Sequence, residues 1–172
     1  MIDHLPDRLD LMATAEAGRT LRGRIALTRL ERALPVLMSN TGELQVVLEL
    51  GKDAGGTCYL AGSLQGEVIL QCQRCLERMS LPLDVNFRLG LVRDLDAMRT
   101  LQDGYEPLMV SAEPAVVADI LSDEVLLALP IVPMHGESDV ECRGLVKDYL
   151  PSAEDLRENP FAVLAELKQK HQ

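Results

Sequence analysis

The chain has 172 residues, 47% of them apolar, with 27 acidic and 17 basic side chains for a formal net charge of −10. That length suits one domain with a substantial core, and the apolar share is that of an ordinary globular protein. The acidic balance and a pI near 4.7 argue against bulk electrostatic binding of nucleic acid, which relies on phosphate neutralisation by Lys and Arg.

The charge is unevenly spread. Residues 1–93 hold 11 basic and 11 acidic side chains, whereas residues 94–172 hold 6 basic and 16 acidic ones. The acidic half favours solubility and would also suit a basic protein partner. One local basic group stands out, with Arg19, Arg22, Arg24, Arg29 and Arg32 close together in sequence. No apolar run approaches the roughly 18 residues of a membrane span. The opening M-I-D-H-L-P-D lacks a basic region followed by an apolar one, so a cytoplasmic location is expected. Four cysteines in a reducing compartment are then thiols or ligands, not a disulfide scaffold.

Residues 1–40 read as a mixed helix and strand segment. Asp10 is a candidate N-cap for L-M-A-T-A-E-A, since a short acidic side chain can accept from the free amides of a first turn. L-R-G-R-I-A-L (21–27) alternates like a strand. T-R-L-E-R-A-L-P (28–35) predicts one or two helical turns, with Thr28 and Glu31 at capping-box spacing and Pro35 opposing continuation. E-L-Q-V-V-L-E-L (43–50) puts Leu44, Val46, Leu48 and Leu50 on one face, a half-buried strand. After a turn at 52–57, T-C-Y-L-A (57–61) and E-V-I-L-Q-C (67–72) read as two strands joined by a tight G-S-L-Q-G connection. P-L-D-V-N-F-R-L-G-L (82–91) alternates again. Successive strands with small turns over 43–91 predict an antiparallel sheet, curled or partly closed.

Residues 94–112 suggest a polar helical stretch followed by a loop. The main helix is expected over 113–129, with Pro114 in its first turn. Val117, Ile120, Leu121, Val125 and Ala128 would form its apolar face, with Asp119, Ser122 and Asp123 opposite. Pro130 and Pro133 end it. A terminal helix is expected over 159–169, capped by Asn159 and bearing Phe161, Leu164 and Leu167. The assembly is a single α+β domain over 1–172, its central sheet flanked by N-terminal helical segments and C-terminal helices.

The stretch Q-C-Q-R-C-L puts Cys72 and Cys75 two residues apart at the end of a strand. A redox pair belongs at a helix N-terminus, where the dipole lowers a thiol pKa; this pair joins two strands. Structural zinc takes four Cys or His ligands. His135 and Cys142 would complete a Cys3His set that pins the C-terminal region to the sheet, with Cys58 as an alternative ligand. Against this stands the reading of unligated thiols, since cysteine often packs as a small hydrophobe. No catalytic constellation accompanies them. There is no phosphate-binding glycine loop, nucleophile elbow or H-E-x-x-H. Asp119 and Asp123, at i, i+4, and the adjacent Glu124 could bind a cation or act as an acid–base pair, but read first as an ordinary solvated helix face. Three Tyr, two Phe and no Trp give little basis for a base-stacking platform.

Several fragments together resemble the YceD family, the large ribosomal RNA subunit accumulation proteins. They are L-Q-C-Q-R-C-L, G-Y-E-P-L, D-I-L-S-D-E-V-L-L-A-L-P-I-V-P-M-H, E-C-R-G-L and N-P-F-A-V-L-A-E-L-K, and the likeness covers roughly residues 43–170. The resemblance implies a role in accumulation or processing of large-subunit ribosomal RNA. It implies ribosomal RNA, a pre-ribosomal particle or a basic ribosomal protein as partner. It supplies no known catalytic site, and the residues themselves point to no membrane contact and no small-molecule substrate. Other branches of the family carry a cysteine-rich run after the L-P motif. His135 and Cys142 match ligand-type positions there, while Val146 stands where another cysteine would be. A reduced set of Cys72, Cys75, His135 and Cys142 would still close a tetrahedron, and the zinc and thiol readings stand level. Two functional alternatives remain open. One is a direct RNA-binding module using Arg19, Arg22, Arg24, Arg29, Arg32, Arg74 and Arg78; the other is a metal-dependent hydrolase or nuclease built on the cysteines.

Overall fold

The computed structural model describes residues 5–146. A five-stranded sheet carries the molecule, its strands in the order β2-β3-β4-β5-β6 and the sheet open, not closed into a barrel. The strands are β2 (Thr20–Ala26), β3 (Glu43–Lys52), β4 (Cys58–Gln71), β5 (Arg78–Val92) and β6 (Glu106–Met109). The first four pair antiparallel, as alternation predicts. The fifth departs from the expected antiparallel pattern. β6 runs parallel to β5, with Leu89 opposite Glu106 and Val92 opposite Met109. The segment between them contains the short helix α2 (Leu95–Arg99), and that crossover lets the chain return in the same direction.

The expected turn at 62–66 is absent. β4 is one continuous strand of 14 residues, and its glycines serve close packing instead of reversal. A Cβ on Gly62 would collide with the ring of Phe87, the residue directly opposite in β5. A Cβ on Gly66 would meet the Leu44 side chain at 2.6 Å. Glycine in a strand often marks such an approach. The long β4–β5 hairpin that results places its tip at Cys72–Glu77, well beyond the neighbouring strands.

One sheet face is buried. Leu21 and Ile25, Leu44 to Leu50 at alternate positions, Leu60, Leu64, Val68, Leu70, Leu83 and Leu89 belong to one apolar cluster. It is roofed by α1 (Leu11–Glu16) and α3 (Val117–Ala128), which contribute Leu11, Ala15, Val117, Leu121 and Val125. Asp10 caps α1 as expected, its Oδ1 accepting from the Ala13 amide at 2.9 Å, and Gly18 leaves the helix at φ 60°, a conformation glycine adopts without strain.

The segment 28–35 forms two single 3-10 turns, Leu27–Arg29 and Leu34–Val36. Thr28 lies inside the first and makes no cap, so the capping box is not used. Leu27, Leu30 and Ala33 are buried instead, three apart. Pro114 lies outside α3: Ala115–Val116 forms strand β7, paired with β1 (Arg8–Leu9), and the helix begins at Val117. Ser122, expected on the polar face, is fully buried, and its hydroxyl donates to the Ala118 carbonyl at 2.7 Å. Asp119 and Asp123 both face Arg32, at 3.3 and 2.6 Å, tying the 3-10 segment to α3. Being exposed, these pairs are screened by solvent and add little stability. Beyond Pro133 a helix not foreseen from sequence, α4 (Val140–Val146), follows. The expected helix over 159–169 lies outside the described residues. Among those described, no helix is long and apolar enough to cross a membrane.

Candidate metal centre

The β4–β5 tip is a tight knuckle. Cys72 continues the buried parity of Val68 and Leu70, so its sulfur points beneath the turn. The Cys72 amide donates to the Glu77 carbonyl and the Leu76 amide to the Cys72 carbonyl, both at 2.9 Å. Leu76 sits at φ 64°, a left-handed conformation that costs a branched residue roughly 1–2 kcal/mol. The turn thereby brings Cys75 back beside Cys72.

The second half of the site arrives from the end of α3. Pro130 stops the helix, and the extended chain runs alongside the knuckle, where the Gln73 amide donates to the Pro133 carbonyl at 2.8 Å. Two residues on, the His135 amide donates to Cys72 Sγ at 3.4 Å. Asp139 then caps α4, its Oδ1 accepting from the Cys142 amide at 2.8 Å. This cap sets Cys142 on the first turn, facing inward, and Cys142 is the one buried residue of α4.

The four donor atoms of Cys72, Cys75, His135 and Cys142 all lie within 4.8 Å of one another. Cys72 and Cys142 sulfurs are 3.9 Å apart, and Cys75 Sγ is 3.4 Å from His135 Nδ1. A tetrahedral ion with metal–sulfur bonds of about 2.3 Å has sulfurs about 3.8 Å apart. A disulfide needs about 2.05 Å, and all four cysteines are free thiols. The set therefore fits a single tetrahedral metal ion. His135 is also prepared for that role: its Nε2 lies 3.2 Å from the Arg78 carbonyl. An Nε2–H donated there leaves Nδ1 bare toward the sulfurs, the outer-shell arrangement of a metal-bound imidazole.

The electrostatics mark a cluster competing for few charges. Burial opposes ionisation of Cys72, but amide donors from Cys75, His135 and Arg74 outweigh it and draw the thiol down to about 6. Burial, together with the neighbouring Cys142 and Cys72 sulfurs, pushes Cys75 up to about 11. The Cys142 sulfur holds His135 above its ordinary value, against the effect of burial. Cys58, the alternative ligand, sits at the opposite end of β4, paired with Lys52. It is buried in the core and cannot join the set.

The candidate contact arginines are dispersed. Arg22 and Arg24 project from β2, and Arg24 lies 3.7 Å from Glu43. Arg29 pairs with Asp7, and Arg32 with the α3 carboxylates. Arg19 is exposed just before β2, and Arg78 is exposed at the start of β5. Arg74 does not face solvent alone: its Nε–H donates to Cys142 Sγ at 3.0 Å. A second grouping went unread in the sequence because its members are far apart there. Arg88 lies over the rings of Tyr59 and Tyr105, 5.2 and 4.7 Å from their centroids. The tyrosine hydroxyls donate to Glu49 and Asp53, so this exposed-face cluster is satisfied internally. Tyr59 pairs with Gly90 and Ala61 with Arg88, so the register makes Tyr59 and Arg88 diagonal neighbours on one sheet face.

The family model described as Large ribosomal RNA subunit accumulation protein YceD matches residues 60–168. The chain belongs to the YceD family. A relative named Large ribosomal RNA subunit accumulation protein YceD, from Haemophilus influenzae, is 32% identical over 169 residues, covering 96% of this chain and 97% of the relative. No solved structure matches the chain. The YceD match takes in all four donor residues and Arg74 as well as α3, while β2 and β3 precede it.

Proposed function

We propose that this protein supports accumulation of the large-subunit ribosomal RNA in the cytoplasm, without catalysing a reaction. It acts through contacts with a pre-ribosomal particle, and one structural zinc ion fastens its hairpin tip to the segment after α3. The observation that carries the role is family membership across nearly the whole chain. The compact Cys3His donor set supports zinc, since these soft and borderline donors in a tetrahedron suit that ion. Four protein ligands fill the coordination sphere, which disfavours a hydrolase or nuclease; metal-assisted hydrolysis needs an open position for water.

The pairing of Arg24, Arg29 and Arg32 with carboxylates and the acidity of residues 94–172 favour a basic ribosomal protein over naked RNA as the immediate partner. Depletion of the protein is expected to lower the ratio of large- to small-subunit ribosomal RNA, and Cys75→Ala should complement poorly. Unchanged precursor and mature large-subunit RNA on depletion would sink the proposal. A gel shift that weakens steeply with salt would redirect it toward direct RNA contact.

A further inference from the structure

Arg74 is the third residue of the C-Q-R-C knuckle and, among the described residues, the one Lys or Arg side chain turned into the donor cluster. Its backbone amide donates to Cys72 Sγ at 3.4 Å. Its Nε–H donates to Cys142 Sγ at 3.0 Å, and its NH2 group donates to the His135 and Gly136 carbonyls at 3.1 and 3.3 Å. One residue of the knuckle therefore touches the other half of the site at three atoms. Among the described residues no carboxylate pairs with it; the ion pairs involve Arg24, Arg29, Arg32 and Arg99.

We infer that Arg74 is a positioning residue of the metal centre, supplying the charge and the hydrogen-bonding fork that hold Cys142 on the ion. The inference rests on the zinc reading. A divalent ion with three thiolates and one neutral imidazole has a net charge of −1. The guanidinium beside Cys142 brings the assembly to neutrality in a half-buried place where an unbalanced charge is costly. Its planar fork spans a sulfur and two carbonyls at once, which a lysine ammonium cannot do. Donation into the Cys142 sulfur also fixes its direction and makes the bound thiolate a poorer nucleophile toward other electrophiles. Arg74 thus adds a three-point clasp between the two segments, beside the amide contacts and the His135–Arg78 contact.

The test uses the full chain loaded with zinc or cobalt. Competition against a chromophoric chelator is expected to show about 10–100-fold weaker zinc binding in Arg74→Met, the usual cost of losing an outer-shell partner. Arg74→Lys, which keeps the charge and loses the fork, should fall between it and wild type. The thiolate-to-cobalt charge-transfer band should shift in both variants. Peptide mapping after iodoacetamide treatment of the zinc form should find Cys142 modified faster than Cys72 or Cys75. Arg24→Met, equal in charge change and distant from the site, should match wild type in every readout. If wild type binds one ion and both Arg74 variants match it in affinity, band position and Cys142 reactivity, the role of Arg74 is refuted while the zinc reading stands. If wild type binds neither ion, both fail together. If Arg74→Met does not fold, Arg74→Lys alone decides, and identity with wild type overturns the inference.

Discussion

Removal of the metal by a strong chelator should release one end of the molecule and leave the sheet intact. α4 is seven residues long and buries only Cys142; a helix so short does not hold its form without anchoring. The cross-link joins positions 63 residues apart, Cys72 and His135. Treated as a covalent tie, closing that loop in the unfolded chain corresponds to about 4 kcal/mol of stabilisation. For a chain of this size it moves Tm by roughly 10 °C. Urea titrations of loaded and chelated protein would measure the difference, and hydrogen exchange would locate it. Protection should vanish over residues 134–146 and persist at Leu44–Leu50 and Leu60–Leu70. A loss below about 1 kcal/mol, or retained protection in α4, would refute the claim that an ion holds this segment.

Other expectations follow from single residues. Cys58→Ala should leave the metal stoichiometry at one ion per chain by elemental analysis, because Cys58 lies at the far end of β4; a metal-free variant would contradict the ligand set. Gly62→Ala should cost about 1–3 kcal/mol in urea titration by driving a methyl group into the Phe87 ring, and a neutral result would mean the ring moves freely. Zinc affinity should rise at least about tenfold per pH unit from pH 6 to 8, since Cys75, pushed up to about 11, must lose its proton to bind; a flat profile would contradict this. Glu124 is held above the ordinary carboxyl range by burial, with Glu106 and Asp123 adding. Its stabilising protonation is complete below the unfolded value near pH 4.3 and is lost as pH rises through the folded one. Glu124→Gln should therefore melt higher than wild type at pH 7, with the advantage fading toward pH 4. An equal difference at both pH values would rule the carboxyl out as its source.

The parts legible in the sequence were those governed by a local period. The alternation of Leu44, Val46, Leu48 and Leu50, and of Leu83, Val85, Phe87, Leu89 and Leu91, locates β3 and β5 with their buried faces. Asp10 marks a cap, and Pro130 marks an end. Misreadings came where a residue answers to a distant neighbour. Gly62 and Gly66 look like a turn, yet they are small because Phe87 and Leu44 pass over them. Ser122 looks solvated, yet its hydroxyl can return to the Ala118 carbonyl and be buried. Pro114 looks like a first-turn proline, yet the strand pairing of Ala115 and Val116 with β1 intervenes. β6 has no alternating pattern of four apolar positions to announce it, because it is short and sits at the sheet edge.

The donor set shows the same division. Cys72 and Cys75 are a recognisable pair because the knuckle itself fixes their spacing. His135 and Cys142 are seven positions apart in sequence, looser than the spacing of ligands on one turn or helix. The fold accounts for the difference: His135 comes from an extended strand-like segment held by Gln73, and Cys142 from a separate helix placed by the Asp139 cap. Each half is shaped by its own backbone contacts, and the ion would fasten the second half to the first. Those contacts bring the His135 Nδ1 and three sulfurs together. Unligated core cysteines have no need for such convergence. Cys58 shows what that alternative looks like in this chain, buried in the apolar cluster with no polar side-chain partner among the described residues. Three sulfurs and one imidazole nitrogen within 4.8 Å of one another are the arrangement that a single tetrahedral ion would accept at once.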